Sequence, residues 1–313
     1  MKIIFLGTPH FAENVLQKLI DSRHQVVACV CQPDKLVGRK QLLEKPPVKV
    51  LAEKHNIPVY QFEKISRDGV EVLKALNADI MITAAYGQML SQEVLDITPF
   101  GVFNVHGSVL PKYRGAAPIQ WSLINGEKTL GVTILKTQIG MDDGPILHTK
   151  EFEIEKTDTV ESLYEKISLL GADLLLLSLD EIENKTAVLI PQDESLATKC
   201  KLLKKEQAVI DFNKTAKQIE NMVRGMAEWP VAHTFINGKM FKVYKAEEVF
   251  NDELNGFETL ENGTVVVCSA KKGIIIKCEK SFIKLIEVQI EGGKKMDAKS
   301  FANGNQLKEN YVF

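Results

Sequence analysis

Short apolar runs alternating with amphipathic stretches constrain the fold of this chain more than any other feature. Lys2 to Leu6, Val26 to Cys31, Pro58 to Gln61, Ile80 to Ala84 and Val102 to Val105 read as strands. Phe11 to Ile20, Val48 to His55 and Val70 to Leu76 read as helices between them. Runs this uniformly apolar suit strands covered on both faces, and strand–helix–strand order makes neighbouring strands parallel. The first half is therefore expected to be α/β, a doubly wound, Rossmann-like sheet. In such sheets ligands bind in the crevice beyond the carboxyl ends of the strands.

At one of those ends Gly101-Val102-Phe103 runs into Asn104-Val105-His106-Gly107-Ser108-Val109-Leu110-Pro111. Side chains alternate with period 2 along a strand, so Asn104 and His106 share one side. An amide that can polarise a carbonyl and a ring that can move a proton thus project together into a loop. Val132 to Leu135 and Ile146 to Phe152 read as a hairpin-like pair around Gly140-Met141-Asp142-Asp143-Gly144. Either Asp can face the imidazole or simply cap the turn, and spacing alone does not choose. Amide, imidazole and carboxylate suffice for acyl transfer without a covalent enzyme intermediate.

At 313 residues the chain is long for one core, and two domains are expected. Thr157 to Lys185 reads as a long helix, after which Pro191, Asp193, Glu194 and Ser195 are linker-like. The basic run Lys199, Lys201, Lys204 and Lys205 suits either a solvated linker or a nucleic-acid backbone contact. A helix from Ala216 to Met226 then precedes five strand candidates: Ala232 to Ile236, Phe241 to Tyr244, Thr264 to Cys268, Gly273 to Lys277 and Phe282 to Gln289. That pattern suggests a small β-barrel of the oligonucleotide-binding (OB-like) type. The expected division is a catalytic domain over 1–203, with a linker at about 190–206, and a second domain over 207–313.

The net charge of −2 gives no global attraction to nucleic acid, and basic and acidic side chains nearly balance over 207–313. Such a partner would need a one-sided basic face. The five cysteines, at 29, 31, 200, 268 and 278, have neither the even count nor the paired spacing of a disulfide framework or zinc site. Cys29 and Cys31 share one strand face and are expected in the core. The N-terminal apolar run stops at Gly7, too short for a signal-peptide core, and no segment approaches membrane-spanning length. A monomeric, cytoplasmic protein that needs no metal is expected. Gly7-Thr8-Pro9 lacks both phosphate-loop patterns and reads as a tight turn beside the crevice. Gln32 to Lys40 is polar, basic and broken by Pro33 and Gly38, so an exposed mobile loop is expected.

The stretch from Asn104 through Tyr113-Arg114-Gly115-Ala116-Ala117-Pro118-Ile119-Gln120-Trp121 resembles the signature of the folate-dependent formyltransferases. Within them it is most similar to the branch that acts on initiator methionyl-tRNA. The resemblance spans nearly the whole chain: Gly7-Thr8-Pro9, Gln32-Pro33-Asp34 to Pro47-Val48-Lys49, Ala84-Ala85-Tyr86-Gly87, Gly140-Met141-Asp142 and, more weakly, Arg224-Gly225-Met226, Trp229-Pro230 and Phe301 to Gly304. It implies Asn104, His106 and Asp142 as the catalytic set, with Asp143 outside it. It implies 10-formyltetrahydrofolate as co-substrate, held along Ser108, Val109, Leu110 and Pro111 with Tyr86 and Gly87 nearby. It implies that the loop carrying Arg39 and Lys40 reaches toward the tRNA; the one-sided basic face that binding needs has as candidates Lys204, Lys205, Arg224, Lys242, Lys271, Lys272, Lys294 and Lys295. Two positions depart from the family pattern. Lys40 stands where a glycine is frequent, which stiffens that loop, and Val231 stands where a glycine is usual.

The implied reaction is formyl transfer to the methionine amino group of initiator methionyl-tRNA. Two rivals remain. One is a formyltransferase acting on an amino sugar nucleotide, against which Ala116 and the Arg39 loop weigh. The other is a non-catalytic RNA-binding protein on the same fold, against which the intact Asn104, His106 and Asp142 weigh.

Overall fold

The computed structural model describes residues 1–38, 41–250, 254, 256–257, 259–304 and 307–313. Contacts divide the chain into two compact units. The first comprises Met1–Pro118, Thr129–Glu153 and Leu163–Lys201; the second comprises Ile119–Lys128, Ile154–Ser162 and Leu202–Phe313.

The strands of the first unit are β1 (Lys2–Gly7), β2 (Gln25–Cys31), β3 (Lys35–Val37), β4 (Leu42–Glu44), β5 (Val59–Gln61), β6 (Ile80–Ala84), β7 (Val102–His106), β8 (Arg114–Gly115), β9 (Thr129–Lys136), β10 (Ile146–Glu153) and β11 (Lys199–Cys200). Its sheet has the order β10-β9-β7-β6-β1-β2-β5. The five strands from β5 to β7 are parallel, and β9 and β10 add an antiparallel hairpin at the β7 edge. The expected mainly parallel α/β sheet is what forms. Helices α1 (His10–Ile20), α2 (Pro47–Lys54), α3 (Ile65–Asp68), α4 (Val70–Ala75) and α5 (Gln92–Leu95) supply its connections.

The two faces of β7 explain where its polar residues point. Val102 joins the core of Ile4, Leu6, Val30 and Met81. By alternation Asn104 and His106 continue that face, while Val105 points the other way. There a long helix, α7 (Val160–Glu183, after α6 at Pro118–Ile124), presents Gly171. A Cβ on Gly171 would lie 2.7 Å from Val105 and 3.0 Å from Val132, so the two valine side chains of the sheet pack directly on the helix backbone. Cys29 and Cys31 are buried and free.

Two stretches are more ordered than expected. Lys35–Val37 and Leu42–Glu44 pair as a hairpin, with Leu36, Leu42 and Leu43 exposed, where the sequence suggested a plain loop. Arg39 and Lys40 lie outside the described residues. The linker-like stretch also folds onto the first unit. Ile190 bridges Ile146, and β11 pairs in parallel with β8.

The second unit contains a curled antiparallel sheet, the half-barrel counterpart of the expected OB-like barrel. Its strands are β12 (His233–Ile236), β13 (Lys239–Val249), β14 (Val265–Ser269), β15 (Gly273–Cys278), β16 (Ser281–Ile290) and β17 (Met296–Asp297), in the order β12-β13-β16-β15-β14 with β17 on β16. Register shifts near Lys245 bend β13 against β16, as bulges do. Helix α8 (Ala216–Gly225) is N-capped by Thr215, whose hydroxyl accepts from Gln218 N while the Gln218 side chain accepts from Thr215 N. With α9 (Ala298–Ala302) it closes a core of Phe241, Ile274, Ile276, Val288 and Phe301. Val231 has φ 63, in the region glycine occupies freely, which accounts for the usual glycine. Burial of the Val231 side chain offsets that strain.

Arg224, a suggested tRNA contact, is half-buried instead. Its Nε donates to Asp158 O at 2.7 Å and its Nη2 to Glu155 O at 2.8 Å. These bonds tie α8 to the segment 154–162 of the same unit, a structural role in place of the expected surface one. No helix among the described residues is long and apolar enough to cross a membrane.

Two stability changes follow. Gly171→Val should lower the thermal midpoint, because overpacking a close helix–sheet contact costs about 1–3 kcal/mol; an unchanged midpoint would mean the helix can move away. Arg224→Met should also lower it, since the carbonyl of buried Asp158 loses its donor, at about 1–3 kcal/mol. A variant with unaltered stability would return Arg224 to the surface set.

Candidate functional site

The site forms where β7 ends. Asn104 Nδ2 donates to Asp142 Oδ1 at 3.2 Å. The Thr83 hydroxyl on neighbouring β6 donates to Asn104 Oδ1 at 2.8 Å. A carboxylate only accepts, so the amide nitrogen faces Asp142, and the Thr83 hydroxyl, free to donate or accept, donates to the amide oxygen.

His106 is 5% exposed. Its Nε2 lies 2.9 Å from Tyr113 O. A carbonyl oxygen cannot donate, so Nε2 carries a proton and Nδ1 is the nitrogen turned to the site. Nδ1 stands 3.6 Å from Asp142 Oδ2, an electrostatic contact longer than a hydrogen bond. Asp142 Oδ2 also accepts from Gly115 N at 2.9 Å.

The turn between β9 and β10 selects Asp142 over Asp143. Asp142 has φ 51, a left-handed conformation that costs a non-glycine residue roughly 1–2 kcal/mol. Gly144 lets the turn close, since a Cβ there would sit 1.8 Å from Lys136 O. Asp143 packs over Gly140 instead, with its Oδ1 buried and unpartnered among the described residues.

The loop after β7 is pinned to β9. Ser108, which is fully buried, donates through its hydroxyl to Lys112 O at 2.7 Å. Thr133 Oγ1 donates to Ser108 O at 2.7 Å and accepts from Leu110 N at 3.2 Å. Val109 and Pro111 are half-buried and Leu110 is buried. Tyr86 turns its ring into the core, and burial pushes its phenol well above the ordinary value. What it offers at the strand ends is its carbonyl, which accepts from Thr8 Oγ1 and Gln32 Nε2, both at 3.1 Å. Gly87 is exposed at φ 91.

The structure thus brings Asn104, His106, Asp142 and the Ser108–Pro111 loop together in the first unit. Lys204 and Lys205 are exposed in the second unit, where Arg224 is committed as described. Residues outside the sequence reading also belong to the site: Thr83, the Tyr113 carbonyl and the Gly115 amide. Cys200 Sγ donates to the same Tyr113 carbonyl at 3.4 Å, and burial raises its thiol. No group of three or more His, Cys, Asp or Glu among the described residues could hold a metal ion.

The "Formyl transferase" family matches residues 1–179, and "Formyl transferase, C-terminal domain" matches residues 202–306. The methionyl-tRNA formyltransferase of Ruminiclostridium cellulolyticum is 43% identical over 308 residues, covering 98% of this chain and 97% of that protein. That of Acetivibrio thermocellus is 41% identical over 313 residues, covering 100% and 99%. In solved structures the fold is similar to an N-formyltransferase from Helicobacter canadensis in complex with folinic acid and dTDP-3-aminofucose, with TM-score 0.68, 21% identity and 91% and 98% of the two chains covered. It is also similar to HypX from Aquifex aeolicus in complex with tetrahydrofolic acid, with TM-score 0.63, 17% identity and 98% and 48% covered. Matched in both its parts and aligned end to end with these relatives, the chain belongs to the methionyl-tRNA formyltransferases of the formyl transferase family.

Proposed function

We propose that this chain transfers the formyl group of 10-formyltetrahydrofolate to the amino group of methionine on initiator methionyl-tRNA, for translation initiation. The observation that carries this reading is the convergence of the Asn104 amide, His106 Nδ1 and the Asp142 carboxylate at the end of β7. The end-to-end likeness to methionyl-tRNA formyltransferases, at over 40% identity, supports the tRNA acceptor over an amino sugar nucleotide. The intact trio supports an enzyme over a non-catalytic RNA-binding protein.

The donor set fits the co-substrate: a formyl oxygen needs hydrogen-bond donors, and an attacking amine needs somewhere to leave its proton. The folate lies along Ser108, Val109, Leu110 and Pro111, near Tyr86 and Gly87, and supplies the formyl group. Asn104 uses its second Nδ2 hydrogen to stabilise negative charge developing on the formyl oxygen. As His106 Nδ1 takes up a proton, the ring adds positive charge beside that oxygen, and Asp142 holds the ring by its own charge. A nitrogen–carbon bond forms to the methionine amine as the bond from N10 of the folate breaks. Asp142 and His106 relay the amine proton to N10. The catalytic work belongs to residues 1–203 and tRNA binding to residues 207–313, helped by Lys204, Lys205, Arg39 and Lys40. The enzyme works as a cytoplasmic monomer.

Formylation of charged initiator tRNA in a purified assay tests the reading. Asn104→Ala and His106→Ala should each cut turnover about 100- to 1000-fold, the usual effect of losing a positioned oxyanion donor; near-normal rates would sink the roles assigned. The KM for tRNA should rise steeply with salt, by the release of about one counterion per neutralised phosphate. A flat response would count against backbone-driven binding.

A further inference from the structure

The stretch from 192 to 200 reaches both sides of the site. Gln192 Nε2 donates to Asp142 O at 2.8 Å and to Gly144 O at 2.7 Å. Asp142 is the residue with left-handed φ, and such a residue keeps its conformation only while its surroundings hold it. Gln192 is itself oriented by Arg114, whose Nε and Nη2 donate to Gln192 Oε1 at 3.0 and 2.9 Å. A guanidinium only donates, so the Gln192 nitrogen must face the carbonyl groups. Glu194 in turn grips Arg114 with two bonds, of 2.9 and 2.7 Å. Arg114 is 3% exposed and its neighbour Gly115 donates to Asp142 Oδ2, so one short segment is tied to Asp142 by two routes.

The far end of the stretch serves His106. Thr198 Oγ1 accepts from Tyr113 N at 2.8 Å, and Thr198 O accepts from Arg114 N at 2.9 Å. Cys200 Sγ donates to Tyr113 O, the oxygen that takes the His106 Nε2 proton.

We propose that residues 192–200 are a strap that sets the geometry of the reacting groups, with Gln192 as the positioning residue for Asp142 and with Arg114 and Glu194 holding Gln192. The proposal rests on the reading of Asp142 as the carboxylate of the reaction. Gln192 acts through the Asp142 backbone and through no contact with substrate.

The test compares full-length Gln192→Ala and Gln192→Glu with the parent chain, each also on an Asp142→Asn background. The readouts are kcat, KM for folate and tRNA, and thermal midpoint. Glutamate keeps the size and still accepts from Arg114, but it turns an oxygen toward the two carbonyl groups, so Gln192→Glu carries the test if Gln192→Ala fails to fold. Loss of positioning should lower kcat by about 10- to 100-fold. Both KM values should stay within about twofold, since ground-state binding is untouched. On the Asp142→Asn background the Gln192 effect should largely vanish, the sign of two residues acting as one. An undiminished Gln192 effect there, or raised KM with kcat unchanged, would overturn the strap while leaving the site reading intact. Asp142→Asn turning over at the parental rate would overturn the site reading, and the strap with it.

Discussion

A carboxylate can accept hydrogen bonds and cannot donate them, and the site is organised around that asymmetry at Asp142. Its Oδ1 takes the Asn104 amide, and its Oδ2 takes the Gly115 amide and faces His106 Nδ1. These contacts orient the amide of Asn104 without ambiguity. They also leave each group a free valence: the second Asn104 Nδ2 hydrogen and His106 Nδ1. A site that polarises one carbonyl and accepts one proton needs those two.

The fold supplies this arrangement through packing that is itself apolar. The Val105 side of β7 meets α7 at Gly171, with no room for the strand to rotate. Asn104 and His106 are thereby held on the opposite face. The parallel part of the sheet ends at β7; β9 runs antiparallel to it, so the β9–β10 connection starts beside Val102 and Phe103 and folds back to bring Asp142 to Asn104. Thr133 on β9 then takes both Ser108 O and Leu110 N, so the loop after β7 and the strand leading to Asp142 share one anchor.

What the sequence revealed follows from what leaves a periodic trace. Apolar runs located β1, β2, β6 and β7, and period 2 alone paired Asn104 with His106. The choice of Asp142 over Asp143 depends on φ 51 and on the approach of Gly144 to Lys136, neither of which spacing records. Residues 192–200 are polar and aperiodic, so they resemble linker; their order comes from side-chain bonds to a backbone some 50–90 positions away. The hairpin strands Lys35–Val37 and Leu42–Glu44 are too short to show alternation. Arg224 was legible as a cation but not as one committed to the fold, because its partners are main-chain carbonyl groups with no identity in the sequence.

The most direct test is the tautomer of His106, read by nitrogen-15 NMR on histidine-labelled protein at a pH where the ring is neutral. With Tyr113 O as the partner of Nε2, the proton should be on Nε2 and Nδ1 should be bare. The signal, assigned by its loss in His106→Gln, would contradict the account if it showed the proton on Nδ1, because the nitrogen facing Asp142 would then already be a fixed donor.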